Sequence, residues 1–115
     1  MRIMLNKDGK EHPMSFRVDS YSENGNLYVG LITHENGYPA PQSNLTVNLS
    51  VKCEENCAFI DTNNNGNEII NWLLDNGLGM LTGRAMRSGF CVYPEFVFFP
   101  NELSKYISAG AREMV

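Results

Sequence analysis

The sequence predicts an α+β fold: an antiparallel or mixed sheet of about five strands with one main helix packed on one face. Three observations predict it. Apolar and polar residues alternate at period two through the N-terminal half, with Asp8-Gly9 and Asn24-Gly25 at the breaks. One stretch, Glu68 to Leu74, has helical apolar spacing between an Asn-rich entry and an Asn-Gly stop. The resulting order is a run of hairpin strands, then a helix, then a further strand, which reads as a sheet covered on one side.

Each element has its own justification. Asp8-Gly9 turns the chain between Ile3–Leu5 and Met14–Val18. From Ser15 to Tyr21, Phe16, Val18 and Ser20 share one side, and Ser15, Arg17 and Asp19 share the other. Asn24-Gly25 favours the positive φ angles of a tight hairpin. Leu27–His34 is apolar on both faces, as expected of a central or helix-covered strand. Glu35–Ser43, with Asn36-Gly37, Pro39 and Pro41, reads as a loop. Asn44–Val51 is the cleanest amphipathic strand, with Leu45, Val47, Leu49 and Val51 inward. Cys57–Asp61 is a short apolar strand.

Asn65 or Asn67 can cap the helix, Glu68 suits its positive end, and Gly77 supplies a left-handed stop. Leu78–Gly89 is glycine-rich and reads as irregular. Cys91–Phe99 is a strand that Pro94 pushes towards an edge or a bulge. Leu103–Ile107 is a helical turn, and Ser108–Val115 a frayed tail. With 115 residues and no linker or repeat, the chain reads as a single domain, 1–115.

Composition narrows the function. A net charge of -4, with nine scattered basic residues, argues against direct nucleic-acid binding, whose affinity comes from Lys and Arg. It suits a basic protein partner better, although it is too mild for a DNA mimic. No apolar run approaches the roughly 20 residues of a membrane span, and the polar N-terminus is no signal peptide. A cytoplasmic location follows, in which Asn44-Leu45-Thr46 and Asn48-Leu49-Ser50 are chance sequons.

Four constellations could carry chemistry. Asp61-Thr62-Asn63-Asn64-Asn65-Gly66 opens like a calcium loop, but Trp72 stands where a bidentate Glu is needed; an Asx-rich turn ahead of the helix fits better. Cys53, Cys57 and Cys91, joined by a histidine, would make a zinc set; otherwise they are small buried hydrophobes in a reducing compartment. No motif gives a cysteine a base. Thr82 to Gly89 lacks phosphate-loop spacing, yet Arg84 and Arg87 place two cations on a long glycine-bearing segment where partner contact is expected. Glu54, Glu55 and Glu68 lie in an acidic stretch that is either a solvated face or a patch for a basic groove.

Asn56-Cys57-Ala58-Phe59-Ile60-Asp61-Thr62-Asn63-Asn64, Asn76-Gly77-Leu78-Gly79, Thr82-Gly83-Arg84 and Ser88-Gly89-Phe90-Cys91 with Tyr93-Pro94 together resemble a small family, the domain of unknown function numbered 4313. The resemblance supplies no catalytic residues. It implies a setting: integrative elements, plasmids and phages of Gram-positive gut bacteria. Small acidic proteins of such elements are often defence inhibitors, so the resemblance implies a non-enzymatic anti-CRISPR protein acting on Cas9. Glu54, Glu55, Glu68, Arg84 and Arg87 are the expected contact residues. The alternative is a structural or regulatory module with zinc at Cys53, Cys57 and Cys91.

Overall fold

A computed structural model describes residues 1–107. The expected tail, 108–115, lies outside the described residues. The α+β class is as expected, but the strands form two sheets of four, not one sheet of about five. The first sheet has the order β1 (Ile3–Lys7), β2 (Lys10–Ser20), β3 (Leu27–Thr33), β4 (Ala40–Asn44). The second has the order β5 (Thr46–Val47), β6 (Cys57–Ile60), β8 (Cys91–Phe98), β7 (Gly79–Ser88). Every ladder between these strands is antiparallel. The helices are α1 (Thr62–Asn65), α2 (Glu68–Asp75) and α3 (Pro100–Ser104); α2, with eight residues, is the longest.

The main core lies between the sheets. Phe16, Val29 and Leu31 from the first meet Ile60, Phe96 and Phe98 from the second, and Ile69 and Leu73 of α2 close the side. Phe16 is fully buried and meets Trp72 edge-on at 6.1 Å. The Trp72 indole donates to the Met4 carbonyl at 2.8 Å, which ties α2 to β1. A smaller cluster on the outer face of the second sheet joins Cys53, Cys57 and Phe59 to Val97, Met86 and Tyr93.

Turn chemistry follows the sequence at two places and departs at a third. Asp8 and Gly9 both take positive φ, 54° and 80°, and close a two-residue hairpin. Gly77 (φ 68°) ends α2: its N–H donates to Leu74 and the next N–H, of Leu78, to Leu73, a Schellman arrangement. Between β2 and β3, however, Tyr21 to Asn26 form a longer loop instead of a tight turn. Gly25 alone of the Asn24-Gly25 pair has positive φ, and the Asn24 side chain accepts from the Asn26 N–H.

Two larger corrections concern strands. The expected strand Asn44–Val51 breaks at its start: β4 ends at Asn44 in one sheet, and β5 is only Thr46–Val47 in the other. Thr46, expected outward, is buried, because its hydroxyl hydrogen-bonds Tyr21 and accepts from the Val29 N–H. Leu78–Gly89, expected irregular, is mostly the ten-residue strand β7. Its glycines mark special positions: a Cβ on Gly79 would stand 2.0 Å from the Val97 carbonyl oxygen, so only glycine lets β7 approach β8 there. The register of β7 on β8 shifts between Leu81 and Ala85, a bulge beside Pro94, as Pro94 led one to expect.

Candidate functional site

The densest chemistry sits on the outer face of the second sheet. Alternation along β8 sends Phe96 and Phe98 to the main core and Tyr93, Glu95 and Val97 outward. Glu95 is therefore a carboxylate inside a small apolar cluster, 5% exposed. The β7 bulge answers it. Arg84 Nη2 donates to Glu95 Oε2 at 2.7 Å, and the Thr82 hydroxyl donates to Oε1 at 2.8 Å. The Arg84 guanidinium also lies over the Phe59 ring, 5.2 Å from its centroid, and 3.9 Å from Cys53 Sγ. Burial pushes the Glu95 carboxyl up, but the hydrogen bonds from Arg84 and Thr82 outweigh it and hold the group below its ordinary value.

The cysteines beside this pair are quiet. Burial first, then the Glu95 carboxylate, raises the Cys53 thiol, and burial does the same for Cys57. Both are held as thiols, the opposite of an activated nucleophile. Cys57 faces Val97 across β6 and β8. Cys91 lies six residues back along β8 from Val97, about 20 Å at strand rise. The three cysteines thus do not converge, and among the described residues no group of three or more His, Cys, Asp or Glu could hold a metal ion.

The acidic pair stands next to this cluster. Glu54 and Glu55 are exposed on the loop that leads into β6 and border a hollow of about 400 Å³ with Asn26, Lys52 and Cys53. Asn26 anchors that loop. Its amide donates to the Val51 carbonyl at 2.8 Å and to Asn48 Oδ1 at 3.2 Å, and its Oδ1 accepts from the Cys53 N–H at 2.9 Å. Lys52 Nζ donates to the Asn24 carbonyl, and the Cys57 N–H returns to Glu54. The only sequence signal for Asn26 is its place just past Gly25 and ahead of the apolar strand that begins at Leu27.

The expected contact residues divide. Glu54, Glu55 and Arg84 share one neighbourhood, because Arg84 reaches Cys53. Glu68 opens α2, whose apolar side faces the other cluster. Arg87 neighbours Met86 on β7; Met86 packs in the outer cluster, so alternation sends Arg87 to the opposite face, across from Val92. Arg84, expected as a partner contact, is bonded to the Glu95 carboxylate.

Of two further arrangements, the first was not foreseen and the second is the expected Asx-rich turn. Ser15 Oγ and His34 Nε2 share a hydrogen bond of 2.7 Å. Ser15 is fully buried, so the pair cannot meet a substrate. The Asn-rich turn is self-satisfied: Asp61 Oδ1 accepts from the Asn64 N–H and Oδ2 from the Asn64 amide, and Asn65 donates to the carbonyls of Asn44 and Asp61. Asp61, not Asn65 or Asn67, provides the side-chain cap, and it caps α1.

No helix among the described residues is long and apolar enough to cross a membrane. Residues 15–115 match the family model described as a domain of unknown function, DUF4313. No curated protein and no solved structure matches the chain.

Proposed function

The chain belongs to the DUF4313 family, and from that premise we propose that it is a non-enzymatic binding protein of a mobile element that inhibits a host defence protein, Cas9, by direct contact in the bacterial cytoplasm. One observation carries the reading. Glu54 and Glu55 are solvent-exposed, in no ion pair among the described residues, and presented by a loop that Asn26 fixes at three points. A pre-ordered anionic surface loses little conformational entropy on docking. Cas9 holds its guide and target in positively charged channels, which an acidic surface complements in encounter rate and orientation. The exposed part of Arg84 lies beside the acidic pair and lends the surface a polar edge.

The test is a pull-down of tagged protein with purified Cas9, with and without guide RNA. Capture in one guide state, weakened at least about tenfold by the paired change Glu54→Lys and Glu55→Lys with the melting temperature unchanged, supports the reading. Capture untouched by the charge reversal would move the interface off this loop. Failure to capture Cas9 in either state would remove Cas9 as the target.

A further inference from the structure

The face of the first sheet that looks away from the core carries a hollow of about 350 Å³. Phe16, Val29 and Leu31 point into the core, so Arg17, Tyr28, Gly30 and Ile32 alternate onto the other face. Register sets Gly30 opposite Arg17. With no side chain at position 30, the Tyr28 ring folds across it: a Cβ there would stand 2.4 Å from the Tyr28 hydroxyl. That hydroxyl donates to Asn44 Oδ1 at 2.7 Å. Pro39, Ala40 and Pro41 form the far wall, beside the irregularity where β4 leaves the β3 register.

The hollow is therefore apolar with one cation in its wall. Arg17 Nε is shielded from solvent and has no hydrogen-bond partner among the described residues. Among the described residues the guanidinium has one ion-pair partner, Asp19, 3.8 Å from Nη2 and too far for a hydrogen bond. A shielded donor left unpaired is uncommon; the Arg17 side chain as a whole is 38% exposed, so an acceptor would meet its other N–H groups.

We propose that this hollow binds a small organic carboxylate with an apolar body. The carboxylate accepts from Arg17 in the fork geometry that guanidinium favours. The body lies against Tyr28, Ile32 and the two prolines. The volume falls at the lower end of small-ligand sites, about 300–1,000 Å³, which suits a compact acid. This site is on the first sheet, away from the acidic loop, and does not depend on the protein-contact reading.

The experiment is an amide-resolved NMR titration of the whole chain with matched acids and amides: 3-phenylpropionate and 3-phenylpropanamide, 4-methylpentanoate and 4-methylpentanamide. The expected result is saturable shifts confined to the hollow's residues on β2, β3 and β4, with at least one acid binding about tenfold or more tighter than its amide. Arg17→Gln should erase the difference between acid and amide while leaving the spectrum folded. Gly30→Ala should displace the Tyr28 ring into the hollow and weaken acid and amide alike. Equal binding of acids and amides, shifts centred elsewhere, or no saturable shift with any acid would overturn the proposal.

Discussion

Arg84 Nη2 lies 2.7 Å from Glu95 Oε2, and the two ends of that bond sit in different media: the arginine side chain is 42% exposed and the glutamate 6%. The carboxylate depends on its partner far more than the guanidinium does, since a buried charge stripped of its partner is strongly destabilising.

Arg84→Met keeps an apolar stem over Phe59 but removes the bond. Glu95 is held below its ordinary value in the folded chain, so its contribution is present above the unfolded carboxyl value and is lost as pH falls through the folded one. Without Arg84 the folded value rises towards or above the unfolded one, so the variant's deficit against the parent should be largest near neutral pH and should shrink as pH falls through the carboxyl range. Urea midpoints from about pH 6 to about pH 3 would show it. Adding Glu95→Gln should rescue part of the loss, a non-additive cycle. Additive effects would mean that the bond does not couple the two.

Asn26→Ala should cost about 1–3 kcal/mol, because it leaves the Cys53 N–H and the Val51 carbonyl without their partner. Hydrogen exchange should rise in the segment from Asn48 to Asn56 before the rest of the chain responds. If partner capture depends on the ordered acidic pair, it should fall in this variant although both glutamates remain.

His34 predicts a separate pH step. Burial first, then the positive charges of Arg2 and the N-terminal amine, lowers its folded value. A depressed histidine favours the neutral folded form. As pH falls through the unfolded value, about 6.5, the unfolded chain takes up a proton that the folded chain refuses, and stability declines. The decline ends below the folded value. His34→Gln should flatten this step; an unchanged step would assign it to another group.

Asp61→Ala removes the α1 cap and should cost about 1–2 kcal/mol. Adding calcium should not raise the melting temperature of the unmodified chain, because both carboxylate oxygens already accept hydrogen bonds within the turn.

The Asp8-Gly9 hairpin, the α2 stop and the role of Pro94 were legible in the sequence because each rests on local geometry. Gly77 needs only its own φ, and Asp8-Gly9 only its two neighbours. The partition into two sheets was not legible, since Leu45 and Thr46 alternate with their neighbours as one strand would, and the break depends on which distant strand each meets. The β7 strand was hidden because most of its side chains are exposed, leaving no apolar period to detect. At the site, Glu54 and Glu55 were visible as charge. The Arg84–Glu95 bond was not, because a bulge re-aims Arg84 and no spacing rule encodes that.

Leu45 is the point where the chain leaves one sheet and enters the other, and both its backbone groups are committed. Its N–H donates to Val29 at 2.9 Å in the first sheet, and its carbonyl accepts from Asp61 at 2.8 Å beyond β6. Its side chain is fully buried between the two. A fluctuation that peels either sheet away must break this peptide's bonding on that side. The sheets therefore have no low-energy route to separate as independent cooperative units, and the amide protons of Leu45 and Asp61 should be released to solvent only when the whole domain opens.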